Sequence, residues 1–285
     1  MADAVDEAGF EAVLAYDAAF VPRYARRFGE LMLPALDLPA RASVLDLACR
    51  TGYTAMALLE LVRDGRVIAM DGDARYLELA RAHAGGDVNK RVFFKQSGAT
   101  ELRFGDEAFT NVLGNLVDRV AVDRGAVLTE ALRVLRPGGQ IALTTAMRGS
   151  FLEVLDLLRE VSLRFDLGRV TERIEQYAMA FPSPESLRLE LEGKSFRGVT
   201  VETRPFTLEY SSGRDLLGDP VIQSAALAEW TWCAEGAPEP RAVIDHLRDT
   251  IDVYFQGRVF ELTVVAGCVT ARRPMATSIP SPSRG

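Results

Sequence analysis

The sequence predicts an α/β protein, with an open, mostly parallel sheet covered by helices on both faces and a helical insertion late in the chain. Three observations carry this. Short apolar runs of strand length alternate with amphipathic stretches of helix length between residues 41 and 147. Those runs are mainly apolar, as strands buried on both faces require. After Met147 the alternation stops and helical spacing dominates.

In chain order, Phe10, Val13, Leu14, Phe20, Val21, Tyr24 and Phe28 recur at three to four residues and predict helix over 10–36, broken at Pro22. Val44–Ala48 reads as the first strand, followed by the loop Cys49–Gly52 and a helix over 53–62 with Ala55, Leu58, Leu59 and Val62 on one face. Arg66–Met70 is the second strand, after which Asp73 can cap a helix over 74–84. Arg91–Lys95 and Phe109–Leu113 are the third and fourth strands. A helix over 122–135 ends at Arg136-Pro137-Gly138-Gly139, and Gln140–Thr145 is the fifth strand. Helices then follow over 151–165, 170–181 and 185–191. A sixth strand spans 199–210, a mainly helical stretch 211–247, and a seventh strand 260–271.

The chain accordingly divides into an N-terminal helical segment (1–40), a central core (41–147), a helical insertion (148–195), a C-terminal part that completes the sheet with further helices (196–272), and a Ser- and Pro-rich tail (273–285) expected to be disordered.

Composition narrows the function. A net charge of −7 opposes a general nucleic-acid or anionic-membrane surface, which needs a basic field. Cys49, Cys233 and Cys268 are few and far apart, which fits a reducing compartment and not a disulfide framework. His83 and His246 stand apart from each other and from any cysteine, so no metal site is expected. The N-terminus lacks a basic region before an apolar run, and no stretch is apolar for the roughly 18 residues of a membrane span. A cytoplasmic protein is expected.

The segment Val44-Leu45-Asp46-Leu47-Ala48-Cys49-Arg50-Thr51-Gly52 joins a buried strand to a turn and a helix, and Asp71 ends the next strand. One helix and one strand separate the two loops, so both lie at the carboxyl edge of the sheet, where such folds bind ligands. Neither the G-x-G-x-x-G of a dinucleotide site nor a P-loop is present. The segment resembles the D-x-G-x-G-x-G motif of class I methyltransferases. Phe94-Lys95-Gln96-Ser97-Gly98-Ala99-Thr100-Glu101-Leu102-Arg103-Phe104 is similar to that family's loop after strand three, Asp106-Glu107-Ala108-Phe109 to the start of its strand four, and Val134-Leu135-Arg136-Pro137-Gly138-Gly139 to its V-L-x-P-G-G. The likeness is closest over residues 10–146. Beyond them, Val199–Tyr210 and Phe260–Ala271 look like the strand-six and strand-seven hairpin.

The resemblance implies a Rossmann-like, seven-stranded, mostly parallel sheet with a helical lid between strands five and six, and S-adenosyl-L-methionine as cofactor. It implies that Asp46 helps hold the cofactor's amino group. Ala48, Arg50 and Gly52 occupy the glycine positions of the loop, Asp71 accepts from the ribose hydroxyls, and Gly98 and Ala99 face the adenine. Two positions depart from the family pattern: Arg50 replaces the middle glycine, and Gly98 stands where an Asp usually receives the adenine amino group. An arginine at 50 must turn to solvent or enter the cleft, where it can pair with the methionine carboxylate but repels the sulfonium.

By the same analogy Asn115 positions the acceptor or cofactor and Asp118 acts as a base; the rival reading makes Asp118 and Arg119 a solvated pair. His83 reads as a helix-end packing residue, and His246 as a surface partner of Asp249. Phe151, Phe165, Tyr177, Phe181, Trp230 and Trp232, joined by Tyr16, Phe20 and Tyr24, supply a lid suited to a small, partly apolar molecule. The expected activity is methylation of such a molecule on O, N or C. Two other readings stay open: a catalytically degenerate domain that serves as a binding or regulatory partner, as a homodimer or beside another methyltransferase, and a repurposed enzyme catalysing a non-methylating step.

Overall fold

The structure, a computed structural model, describes residues 7–117 and 123–275. Seven strands form one sheet in the order β3-β2-β1-β4-β5-β7-β6. They are β1 (Ser43–Leu47), β2 (Arg66–Asp71), β3 (Val92–Gln96), β4 (Phe109–Asn115), β5 (Leu135–Ala146), β6 (Arg197–Tyr210) and β7 (Phe260–Arg272). The first five pair in parallel, whereas β7 runs antiparallel to both β5 and β6. Strand order reverses at β1 and β4, so the crevice between their carboxyl ends is the expected ligand position.

Every residue of β1 is buried, which is why its sequence shows no polar alternation. Its side chains feed two cores. On one face Leu45 and Leu47 pack with Val127, Leu128 and Ala131 of α5 (Arg124–Val134) and Leu187 and Leu191 of α8 (Pro184–Gly193). On the other, Val44 joins Ala55 and Leu58 of α3 (Tyr53–Leu61) and Leu77 of α4 (Ala74–Ala84). The same core takes in α6 (Leu152–Arg164), α7 (Gly168–Ala180) and the helices between β6 and β7.

The N-terminal helix is continuous in direction but not in register. After α1 (Glu7–Ala15) the chain is π-helical over Tyr16–Ala25 and returns to α-helix in α2 (Arg26–Met32). The wider turn absorbs Pro22, so the break expected there becomes a change of pitch. Tyr16, Phe20, Tyr24 and Phe28 consequently stack one above another, with successive ring centroids 4.7, 4.8 and 5.0 Å apart. A buried carboxylate fastens this segment to the C-terminal half: Asp219 pairs with Arg23 at 2.8 Å and accepts from the Tyr210 hydroxyl at 2.8 Å.

Three expectations are corrected. Strands β6 and β7 do pair antiparallel, but they are no hairpin: α9 (Gly213–Gly218), α10 (Pro220–Ala225), α11 (Leu227–Ala234) and α12 (Pro240–Tyr254) lie between them. The Pro137-Gly138-Gly139 turn is drawn into β5, which starts at Leu135 because Phe109 and Asn111 of β4 pair on either side of a bulge. Arg273, assigned to the tail, is fixed: its guanidinium donates to the carbonyls of Leu132, Arg133 and Leu135 and pairs with Glu107 at 2.8 Å. Residues 276–285 lie outside the described residues. Among the described residues no helix is long and apolar enough to cross a membrane.

Candidate active site

The carboxyl ends of β1, β2 and β4 bring the motif residues together. Asp46, in β1, is fully buried, and neither carboxylate oxygen has a hydrogen-bond partner among the described residues. Burial, and next the neighbouring Asp71, push its carboxyl well above the usual carboxylate range. Asp71, at the end of β2, accepts from the backbone N–H of Arg50 at 3.1 Å and of Asp73 at 2.9 Å, one on each oxygen. Each oxygen keeps a lone pair, so the group can still receive two hydroxyls. The thiol of Cys49, buried in the same loop, is pushed up by desolvation first and then by Asp46 and Asp71.

The loop retains glycine-like torsions without the glycines. Ala48 and Arg50 have φ of 53° and 50°, and Gly52 has φ of 88° at the start of α3. An alanine Cβ at Gly52 would also sit 3.1 Å from Ala80 Cβ. His83 supports the loop from α4: its Nδ1 lies 2.9 Å from the Thr51 carbonyl and its Nε2 3.5 Å from Asp17. The expected helix-end histidine is therefore a brace of the loop after β1, a role that its helical spacing did not reveal.

Arg50 enters the cleft. Its guanidinium carbon lies 4.3 Å from the Tyr76 ring centroid and 5.5 Å from that of Tyr16, and the two rings meet edge to face. The guanidinium makes no hydrogen bond or ion pair among the described residues. It lines a cavity of about 230 Å³ with Tyr16, Phe20, Tyr76, Asn115 and Leu116. Burial raises the Tyr76 hydroxyl above its ordinary range, against the pull of Arg50. Gly98 has nothing within 4 Å of where its Cβ would be, and Ala99 is buried beside it.

Asn115, at the end of β4, also lines this cavity, but its amide is engaged in holding the scaffold. Its Nδ2 donates to the Ala25 carbonyl at 3.0 Å, and its Oδ1 accepts from the Thr144 hydroxyl at 2.7 Å. Asn115 thus sets the height of the N-terminal helix over the cleft. Asp118 and Arg119 lie outside the described residues. His246 differs from expectation: its Nδ1 is 2.6 Å from the Ala242 carbonyl and its ring meets Phe165 edge-on, while Asp249 pairs with Arg248 at 2.8 Å. Of the aromatic residues assigned to a lid, Tyr24, Phe151, Tyr177 and Phe181 line a second cavity of about 310 Å³, which shares Leu116 with the first. Trp230 is buried behind Phe151, and Trp232 lies outside on Arg173.

A sequence profile of the methyltransferase domain matches residues 44–139, the stretch that contains β1 through the start of β5. Over that stretch the chain is similar to class I, S-adenosylmethionine-dependent methyltransferases. The chain is 35% identical over 118 residues to the demethylmenaquinone methyltransferase of Lactiplantibacillus plantarum, covering 41% of this chain and 50% of that protein. It is 29% identical over 201 residues to the 27-O-demethylrifamycin SV methyltransferase of Amycolatopsis mediterranei, covering 68% of this chain and 70% of that protein. The chain spans half or less of the length of the demethylmenaquinone methyltransferases it matches in Lactiplantibacillus plantarum, Clavibacter sepedonicus and Lactococcus lactis.

Among solved structures, the YcgJ protein of Bacillus subtilis superposes with a TM-score of 0.57 at 16% identity, over 88% of this chain and 100% of that one. Phosphoethanolamine N-methyltransferase 2 of Haemonchus contortus, in complex with S-adenosyl-L-methionine, gives 0.55 at 15% identity, over 94% and 57%. These likenesses establish the fold.

Proposed function

We propose that the chain binds S-adenosyl-L-methionine and transfers its methyl group to a small, partly apolar molecule. The observation that carries this is a pair of groups without polar partners among the described residues, both near the carboxyl end of β1: the buried Asp46 carboxyl and the Arg50 guanidinium, which lines the cleft. A zwitterionic amino-acid tail supplies the complement of both, an ammonium toward Asp46 and a carboxylate toward Arg50. Asp71, with one open lone pair on each oxygen, would hold the ribose hydroxyls, and the open space at Gly98 and Ala99 would admit the adenine. Bound there, the cofactor would supply an electrophilic methyl group.

The protein's own part is positional. His83 and Asp71 fix the loop from two sides, through the Thr51 carbonyl and the Arg50 N–H. Asn115 holds the N-terminal helix over the cleft through Ala25, and that helix excludes water with its aromatic stack. The lid formed by the N-terminal segment (1–40) and the insertion (148–195) suits a small acceptor. Relatives named for demethylmenaquinone and for 27-O-demethylrifamycin SV support that class. Asp118, three residues beyond the end of β4 in the sequence, remains the proposed base.

Titration calorimetry with S-adenosylhomocysteine tests the reading: micromolar binding is expected, and no heat at millimolar ligand refutes it. A second reading, a degenerate domain with a plugged cleft, is favoured by one observation, the guanidinium lying 4.3 Å over Tyr76 inside the cavity. Under it, Arg50→Gly creates a binding activity that the native chain lacks.

A further inference from the structure

The cavity of about 310 Å³ lies across Leu116 from the cavity that holds Arg50, and the end of β5, at Thr145 and Ala146, forms part of its wall. Its volume is in the lower part of the range of roughly 300–1,000 Å³ found for small-molecule sites. Four aromatic rings, Tyr24, Phe151, Tyr177 and Phe181, line it together with one carboxylate, Glu229 from α11. Oε2 of Glu229 is buried and has no hydrogen-bond partner among the described residues. A carboxylate oxygen accepts and does not donate when ionised, so an aromatic cavity with this single unsatisfied atom discriminates between ligands. A ligand O–H or N–H gains a charge-assisted bond there, whereas a carbonyl or ether oxygen meets a like partial charge and leaves the carboxylate unpaired.

Resting on the methyl transfer proposed above, we infer that this cavity is the acceptor site, and that Glu229 selects a planar, apolar acceptor bearing a hydroxyl or amine hydrogen. The group to be methylated is then an oxygen or nitrogen that arrives protonated, with the ring system held among Phe151, Tyr177 and Phe181; as its bond to the methyl carbon would form and the methyl–sulfur bond break, the sulfur keeping that electron pair, its proton would pass to Glu229 Oε2. Glu229 enters from the helices between β6 and β7, and Leu116 lines both this cavity and the one that holds Arg50.

The test uses the full chain, with 2-naphthol and 2-methoxynaphthalene as probes, which share a ring system and differ in the hydroxyl hydrogen. In calorimetric titrations the native protein is expected to bind 2-naphthol about tenfold or more tightly than the ether, the size of a charge-assisted hydrogen bond. Glu229→Met, of similar length but without an acceptor, should reduce that preference to about threefold or less. Glu229→Gln, which keeps a neutral carbonyl, should retain an intermediate preference. Equal binding of the two probes, failure of both to bind, or a preference that survives Glu229→Met overturns the inference. S-adenosylhomocysteine is titrated into the same samples. Its binding should be unchanged in both variants, which shows that they are folded. S-adenosylhomocysteine binding without a naphthol preference removes this inference alone. A Glu229-dependent naphthol preference without S-adenosylhomocysteine binding supports the ligand site and removes the methyl-transfer reading.

Discussion

Replacing Arg50 with glycine separates two roles that the cleft geometry gives this side chain. Arg50 touches two aromatic faces, at 4.3 and 5.5 Å, contacts worth about 0.5–1 kcal/mol each at a partly exposed site. Its φ of 50° costs a side-chain-bearing residue about 1–2 kcal/mol, which glycine relieves. Glycine in turn adds about 0.4–1 kcal/mol of freedom to the unfolded chain. These contributions oppose one another, so Arg50→Gly should remain folded and lie within about 2 kcal/mol of native stability. Its effect on binding is larger and one-sided. Losing a charged hydrogen bond to the cofactor's carboxylate costs about 1.5–3 kcal/mol, or about 10- to 150-fold in affinity. The assay is calorimetric titration of both proteins with S-adenosylhomocysteine and with 5′-methylthioadenosine, which lacks the amino-acid tail. S-adenosylhomocysteine should weaken on Arg50→Gly and 5′-methylthioadenosine should change by less than about threefold. Unchanged or tighter S-adenosylhomocysteine binding refutes the carboxylate role and makes Arg50 an obstruction.

The remaining expectations concern the same loop and its surroundings. The Asp46 carboxyl is raised by burial, so the folded state holds its proton longer than the unfolded chain does. Stability from this group is fully present below about pH 4 and is lost as pH rises through the folded value. Asp46→Asn should therefore gain in melting temperature on native protein as pH is raised from 4 to 8; a difference constant with pH would contradict this. Gly98→Asp, placed where nothing approaches within 4 Å, should fold normally and tighten S-adenosylhomocysteine by about 0.5–1.5 kcal/mol, read as a lower Kd; unaltered affinity would exclude the adenine contact. Gly52→Ala forces a side chain into φ of 88° and against Ala80, and should lower stability by about 1–3 kcal/mol in urea unfolding.

The order of strands and helices was legible because each run carries its own signal. β1 and β2 are mainly apolar stretches, Asp73 accepts from the N–H of Arg75 as an N-cap should, and Asp123 does the same for Ala126. The early motif residues were legible for a related reason: Asp46 and Asp71 sit at fixed offsets from strand ends, and parallel pairing brings those ends into line. Local pattern also placed the helices after Met147, since their apolar faces repeat every three to four residues.

What the sequence determined by itself, then, was the sheet, the succession of its elements and the chemistry of the loop after β1. The tertiary structure decided where side chains from distant segments meet. Helical spacing marks Glu229 as one more polar residue on α11, and only the packing of α11 against α7 turns its carboxylate into an aromatic cavity. His83 reads as a helix end until α4 is seen beside Thr51, and Asn115 as a reactive amide until Ala25 and Thr144 claim it. For Arg50 the sequence left two directions, solvent or cleft. The choice of the cleft depends on Tyr76 and Tyr16, which lie on two different helices and offer their ring faces only once both have docked. Contacts of this kind depend on distances across the fold, and no local pattern along the chain encodes them.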